Sequence, residues 1–182
     1  MYTNAKAQQI AAGFLSLAPS RTLTKLALIK LMYIADRTAI AEIGATISGD
    51  VHFSLPQGPI LSKSLNAMRW SGEGSGPWEP LIKRSGNNVL LTEPVSLDDL
   101  DELSDAEAEI IARVSGTYGA LSAWQLRNLS HDFPEWRDPH GSSLPIAIED
   151  IARAVGLAED EIAWIVEQQQ VQEQADRALV AR

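Results

Sequence analysis

Residues 23–42 constrain the fold of this chain more than any other stretch. Leu26, Leu28, Ile29, Leu31, Met32 and Ile34 point in nearly every direction on a helical wheel. A helix that is apolar almost all round is buried, either in a core or in a membrane. Lys25, Lys30, Asp36 and Arg37 interrupt the apolar run, which is too short to span a bilayer. The segment therefore predicts a core helix of a water-exposed domain, wrapped by the rest of the chain. Its polar residues Tyr33, Asp36 and Arg37 stand at helical spacing and so lie near one another.

Around this helix the reading is mainly α with a small β element. A helix over 4–17 carries Ala7, Ile10, Ala11, Phe14 and Leu15 on one face, and Pro19 and Ser20 end it. Thr22 or Thr24 caps the central helix, predicted over 24–42, and Gly44 stops it. Residues 50–55 alternate as a short strand does. Gly58-Pro59 is turn chemistry, with Pro59 suited to the first turn of a helix that runs to Trp70. Residues 71–77 form a glycine-rich loop. Residues 78–83 and 89–91 flank Ser85-Gly86-Asn87-Asn88, a hairpin pattern. A lone hairpin is marginal, so it should pack on helices or pair with 50–55. Ser104 and Ser122 open helices to Tyr118 and Ser130. After a loop over 134–145, helices follow over 144–155 and 159–171, broken at Gly156. Apolar periodicity stops at Val171, so 172–182 reads as a frayed or mobile tail on a single domain.

The 182 residues contain no cysteine, which excludes disulfides, thiolate metal sites and a cysteine nucleophile, and fits a reducing cytosol. No secretory leader pattern opens the chain. Residues 1–95 hold 9 basic and 6 acidic side chains, and residues 96–182 hold 6 and 18, so the net charges are +3 and −12. An acidic C-terminal half disfavours nucleic acid and favours a basic partner, or it simply solvates the surface.

No catalytic motif stands out. Gly72 to Gly76 lacks the Lys-Ser/Thr of a phosphate-binding loop, and Gly-x-Ser-x-Gly does not occur. His52, His131 and His140 form no helical metal pair, so no metal or organic cofactor is expected. The acidic run 98–102 lacks the glycine and ligand alternation of a calcium loop. His131 ends a helix five residues before Trp136. It reads as a buried, hydrogen-bonded corner residue or as a partner contact. Trp70, Trp78, Trp124 and Trp136 stand near loops and helix ends, as core fillers or as binding anchors. Tyr33, Asp36 and Arg37 read either as an internal network or as one end of a partner groove.

The helix Lys30-Leu31-Met32-Tyr33-Ile34-Ala35-Asp36 resembles the signature helix of the Panacea domain, the SocA-like antitoxin family. Residues 50–60 with Gly58-Pro59 resemble the family's next element. Leu103-Ser104-Asp105-Ala106-Glu107, then Ser130-His131 and Trp136, resemble its C-terminal signature. The resemblance spans roughly residues 5–165 and implies a non-enzymatic antitoxin of a type II toxin–antitoxin module. Such a protein neutralises a toxin by direct contact and can present it to a protease. Two other readings stand beside it: a protease adaptor or phage-associated accessory protein of the same fold, and a small hydrolase using His131. Partner-binding or shape-determining residues are then expected among Tyr33, Asp36, Arg37, Gly58, Pro59, Trp70, Trp78, His131 and Trp136.

Overall fold

A computed structural model describes residues 1–69 and 76–180. Trp70 and most of the expected glycine-rich loop lie outside the described residues. The element order is α1 (Asn4–Leu17), β1 (Thr22–Thr24), α2 (Lys25–Ile43), β2 (His52–Leu55), β3 (Gly58–Leu61), α3 (Ser62–Met68), β4 (Ile82–Ser85), β5 (Asn88–Leu91), α4 (Asp105–Tyr118), α5 (Ala123–His131), β6 (Leu144–Ile146), α6 (Ile148–Ala154) and α7 (Glu159–Val180). The class is α+β, with helices dominant and two small antiparallel sheets.

Helix α2 is the axis of the fold. The Thr24 hydroxyl accepts from the Ala27 amide at 3.1 Å and caps its start. Gly44, at φ +67°, ends it in the left-handed region that a Cβ disfavours. Every residue from 27 to 36 is buried. Helices α1, α4, α5 and α6 and strand β3 pack around it, which is what its all-round apolarity demands. Helices α4 and α5 start at reciprocal capping boxes, Ser104 with Glu107 and Ser122 with Gln125.

The sheets depart from expectation in three places. The hairpin β4–β5 packs on helix α1, one of the two expected arrangements, but the strand it pairs with is β1 and not residues 50–55, giving the order β1-β5-β4. Thr22 and Thr24 look like caps in the sequence, yet both also suit an extended segment, and Thr24 serves as cap and strand end together. Pro59 lies within β3 and not in a helical turn. Strand β3 is an edge of the sheet β3-β2-β6, where a missing N–H is tolerated. Residues 144–146, expected to open a helix, form β6 and pair with 52–54. Helix α6 starts only at Ile148. The last helix also continues past Val171 to Val180, beyond its apolar periodicity.

Candidate functional site

The polar residues of α2 form one inward-facing seam. Lys30, Tyr33 and Arg37 follow at i, i+3 and i+7, with Asp36 beside them; Lys30 and Asp36 bond to residues 47–59, and Tyr33 and Arg37 bond to residues 130–137. Asp36 gathers the turn after the helix. Its Oδ1 accepts from the amides of Ile47 at 3.0 Å and Ser48 at 2.9 Å. Its Oδ2 accepts from the Ser48 hydroxyl and lies 3.2 Å from His52 Nε2. Four contacts from three residues account for a carboxylate that is 1% exposed.

Glu135 is the second hub. Its Oε1 accepts from Tyr33 Oη at 3.0 Å and from Arg37 Nε at 2.9 Å. Burial, and then Glu135, push the Tyr33 phenol well above its ordinary range, so it remains a donor. Phe133 stacks on Tyr33 with centroids 6.3 Å apart, and the Arg37 guanidinium sits 4.5 Å over the Phe133 ring. The His52 ring meets Tyr33 edge-on at 5.7 Å. One packed layer thus joins the two hubs.

The third part of the seam lies at the turn of the hairpin. Lys30 is fully buried, and its Nζ donates to the Pro59 carbonyl at 2.6 Å. Burial, with the Arg127 charge adding to it, lowers its pKa from 10.5 to about 7. Gly58 makes this approach possible. At φ +91°, a Cβ there would stand 2.6 Å from both Lys30 Nζ and Ser130 Oγ. His131 stacks on Trp136 at 4.0 Å and 15°, and Trp136 Nε1 donates to the Leu55 carbonyl at 3.1 Å. The Arg137 amide donates to Ser54 Oγ at 3.2 Å. Residues 130–137 therefore clamp the hairpin.

The corner expected at His131 and Trp136 is present, but its chemistry differs. His131 is only half-buried, and among the described residues neither ring nitrogen has a hydrogen-bond partner; Nε2 is itself buried. Burial, Arg127 and Lys30 lower its pKa. The stack on Trp136 orients the ring, not a bond to backbone or carboxylate. Ser130 Oγ donates to the Arg127 carbonyl at 2.8 Å, so serine and imidazole do not form a nucleophile–base pair.

Tyr33, Asp36, Arg37, Gly58, Pro59, His131 and Trp136 thus lie along one seam. Trp78 does not; it is buried elsewhere, with its carbonyl accepting from Gln8 on α1. Lys30, His52, Phe133 and Glu135 stand outside the site residues expected from the sequence. Lys30 carried a signal, being a cation in the middle of an otherwise apolar run. Among the described residues no cluster of His, Asp and Glu could hold a metal ion, and no helix is long and apolar enough to cross a membrane.

The seam and the helix around it define a domain class. A family model described as "Antitoxin SocA-like, Panacea domain" matches residues 28–137, more than half of the chain. The chain belongs to that family. Every seam residue falls inside the match, while α1, β6, α6 and α7 fall outside it. No curated protein and no solved structure matches the chain.

Proposed function

We propose that this chain is the antitoxin of a type II toxin–antitoxin module and neutralises a cognate toxin by direct protein–protein contact. The family match across the whole seam is the observation that carries this reading. The seam's polar groups point inward and largely satisfy one another. Their work in this reading is to hold the hairpin, the 130–137 segment and α2 as one rigid surface. A preorganised surface loses little entropy on binding. The acidic C-terminal half favours a toxin whose contacting face is basic. The chain acts as a binder in a reducing cytosol, as a single domain, without cofactor or nucleic acid.

The test is co-expression with the reading frame that lies beside this one. That frame alone should arrest growth, and this chain should relieve the arrest and co-purify with its product. Arrest that persists despite soluble, folded antitoxin overturns the reading. Rising salt should slow association of the purified pair, since steering by exposed charge is screened.

A further inference from the structure

One turn beyond the seam, the end of α2 opens onto a groove that the seam does not use. It has a volume of about 470 Å³ and lies between α2 and the N-terminal half of α7. Ile40 and Ile165 are buried along it, and Leu157 is half-buried. Trp164 and Ile43 line it too, yet remain 54% and 42% exposed. The Trp164 ring rests over Gly44, 3.1 Å from where a Cβ would stand. Single exposed apolar residues are ordinary, but a tryptophan and an isoleucine beside a groove form a patch of the kind that binds.

The rim is acidic. Among the described residues, Glu42, Asp160 and Glu161 line the groove, and no lysine or arginine does. Glu42 pairs with Arg113, and Glu161 accepts from the Ala158 amide at the helix start. Asp160 has no partner among the described residues. Acids at a helix N-terminus stabilise the helix, which accounts for Asp160 and Glu161 on α7. It does not account for Trp164, which stands off the buried Ile162/Ile165 face of the same helix.

Resting on the antitoxin reading, we infer that this groove seats a basic, apolar-anchored helical segment of the toxin, with Trp164 as the central anchor. Tryptophan at the middle of an apolar patch with a polar rim is the usual anatomy of a binding hot spot. Charge selects the occupant. A second copy of this chain would bring an equally acidic rim against the first, and the chain as a whole carries −9. An anionic membrane surface is repelled for the same reason. One wall, α2, belongs to the family-matched segment, and the other, α7, lies outside it. The groove is therefore shared between the matched segment and the part of the chain beyond it.

The probe is a fluorescein-labelled amphipathic helical peptide of leucine and lysine, titrated with the full chain and followed by anisotropy. Its leucine–glutamate counterpart is the control. The basic peptide should bind one to one and the acidic one should not. Trp164→Ala and Asp160→Lys should each weaken binding by about tenfold or more. Trp124→Ala should leave it unchanged, since Trp124 is 64% exposed but outside the groove. All three sites are exposed, and thermal melts should show the variants folded. Absent binding, equal binding of the acidic peptide, or equal loss in Trp124→Ala overturns the inference. So does a dimer of the free chain that Trp164→Ala disperses.

Repeating the growth test with Trp164→Ala separates the two readings. Wild-type rescue with undiminished rescue by the variant removes the groove as the toxin's seat and leaves the antitoxin reading standing. No rescue by the wild type removes the antitoxin reading, and the peptide titration then decides the groove by itself.

Discussion

Replacing Lys30 by Met should remove a pH dependence from the folding equilibrium. The buried ammonium has the Pro59 carbonyl as its hydrogen-bond partner and, among the described residues, no carboxylate within ion-pair distance. Its pKa is about 7 in the folded protein, against 10.5 for an ordinary lysine. Between those values the unfolded chain holds a proton that the folded one has released. Stability must therefore rise with pH across that window, and most of the penalty for burying the charge is present at and below pH 7. The slope approaches about 1.4 kcal/mol per pH unit, and from pH 7 to pH 9 it sums to about 2 kcal/mol. In a chain of this size that is about 4–8 °C in melting temperature. Other shifted groups leave the window clear. The His131 pKa is lowered, so its contribution rises with pH only up to its unfolded value of 6.5 and is flat above pH 7. Tyr2 is pushed up to about 12 and Tyr33 is raised as well, so both act only where unfolded tyrosines ionise, near pH 10. Urea denaturation followed by circular dichroism at pH 7, 8 and 9, at constant ionic strength, measures the effect. The Met variant leaves the Pro59 carbonyl unpaired, so its slope with pH is diagnostic and its absolute stability is not. A flat wild-type profile, or the same slope in Lys30→Met, refutes the argument.

Gly58→Ala forces a side chain into the left-handed region and into contact with Lys30 Nζ and Ser130 Oγ; it should cost about 2–4 kcal/mol by chemical denaturation. Arg37→Met strips the cation from a buried carboxylate and should cost about 3–5 kcal/mol, whereas Tyr33→Phe removes a single neutral donor and should cost about 1–3 kcal/mol. Because both donors share Glu135 Oε1, a double-mutant cycle should give a coupling of at least about 0.5 kcal/mol, and strict additivity would contradict the shared-hub geometry. His131→Phe keeps the stack on Trp136 and removes an unpartnered buried nitrogen, so its melting temperature should equal or exceed the wild type's. His131→Ala should lower it and weaken neutralisation together.

Legibility in the sequence followed the range of the interactions. The ends of α2, α4 and α5 could be read because their caps are local: Thr24 and Gly44, Ser104 with Glu107, Ser122 with Gln125. Strands β1 and β6 could not, because three residues carry almost no pattern and their pairing partners are remote. Leu144-Pro145 has the look of a helix start until β2 is alongside. The same holds for the site. Tyr33, Asp36 and Arg37 were visible through spacing on one helix. Glu135, their partner, lies 102 residues from Tyr33 and 98 from Arg37, and nothing local marks it. Trp164 left a fainter trace, as an aromatic on the polar side of an amphipathic helix. Its meaning depends on where the end of α2 comes to rest.

The central position of β2 has a consequence during synthesis. One edge of His52–Leu55 is covered at once by β3, but the other waits for residues 144–146. At about 5–20 residues per second, roughly five to twenty seconds of translation separate the two events. Throughout that interval the nascent chain carries an unpaired strand edge, and Arg37 and Tyr33 lack Glu135 until it emerges late in the wait. The delay sets a lag between the start of translation and the closing of the sheet. Trimming the chain to residues 28–137 would make the lag permanent, since the strand that closes the sheet lies beyond the family match.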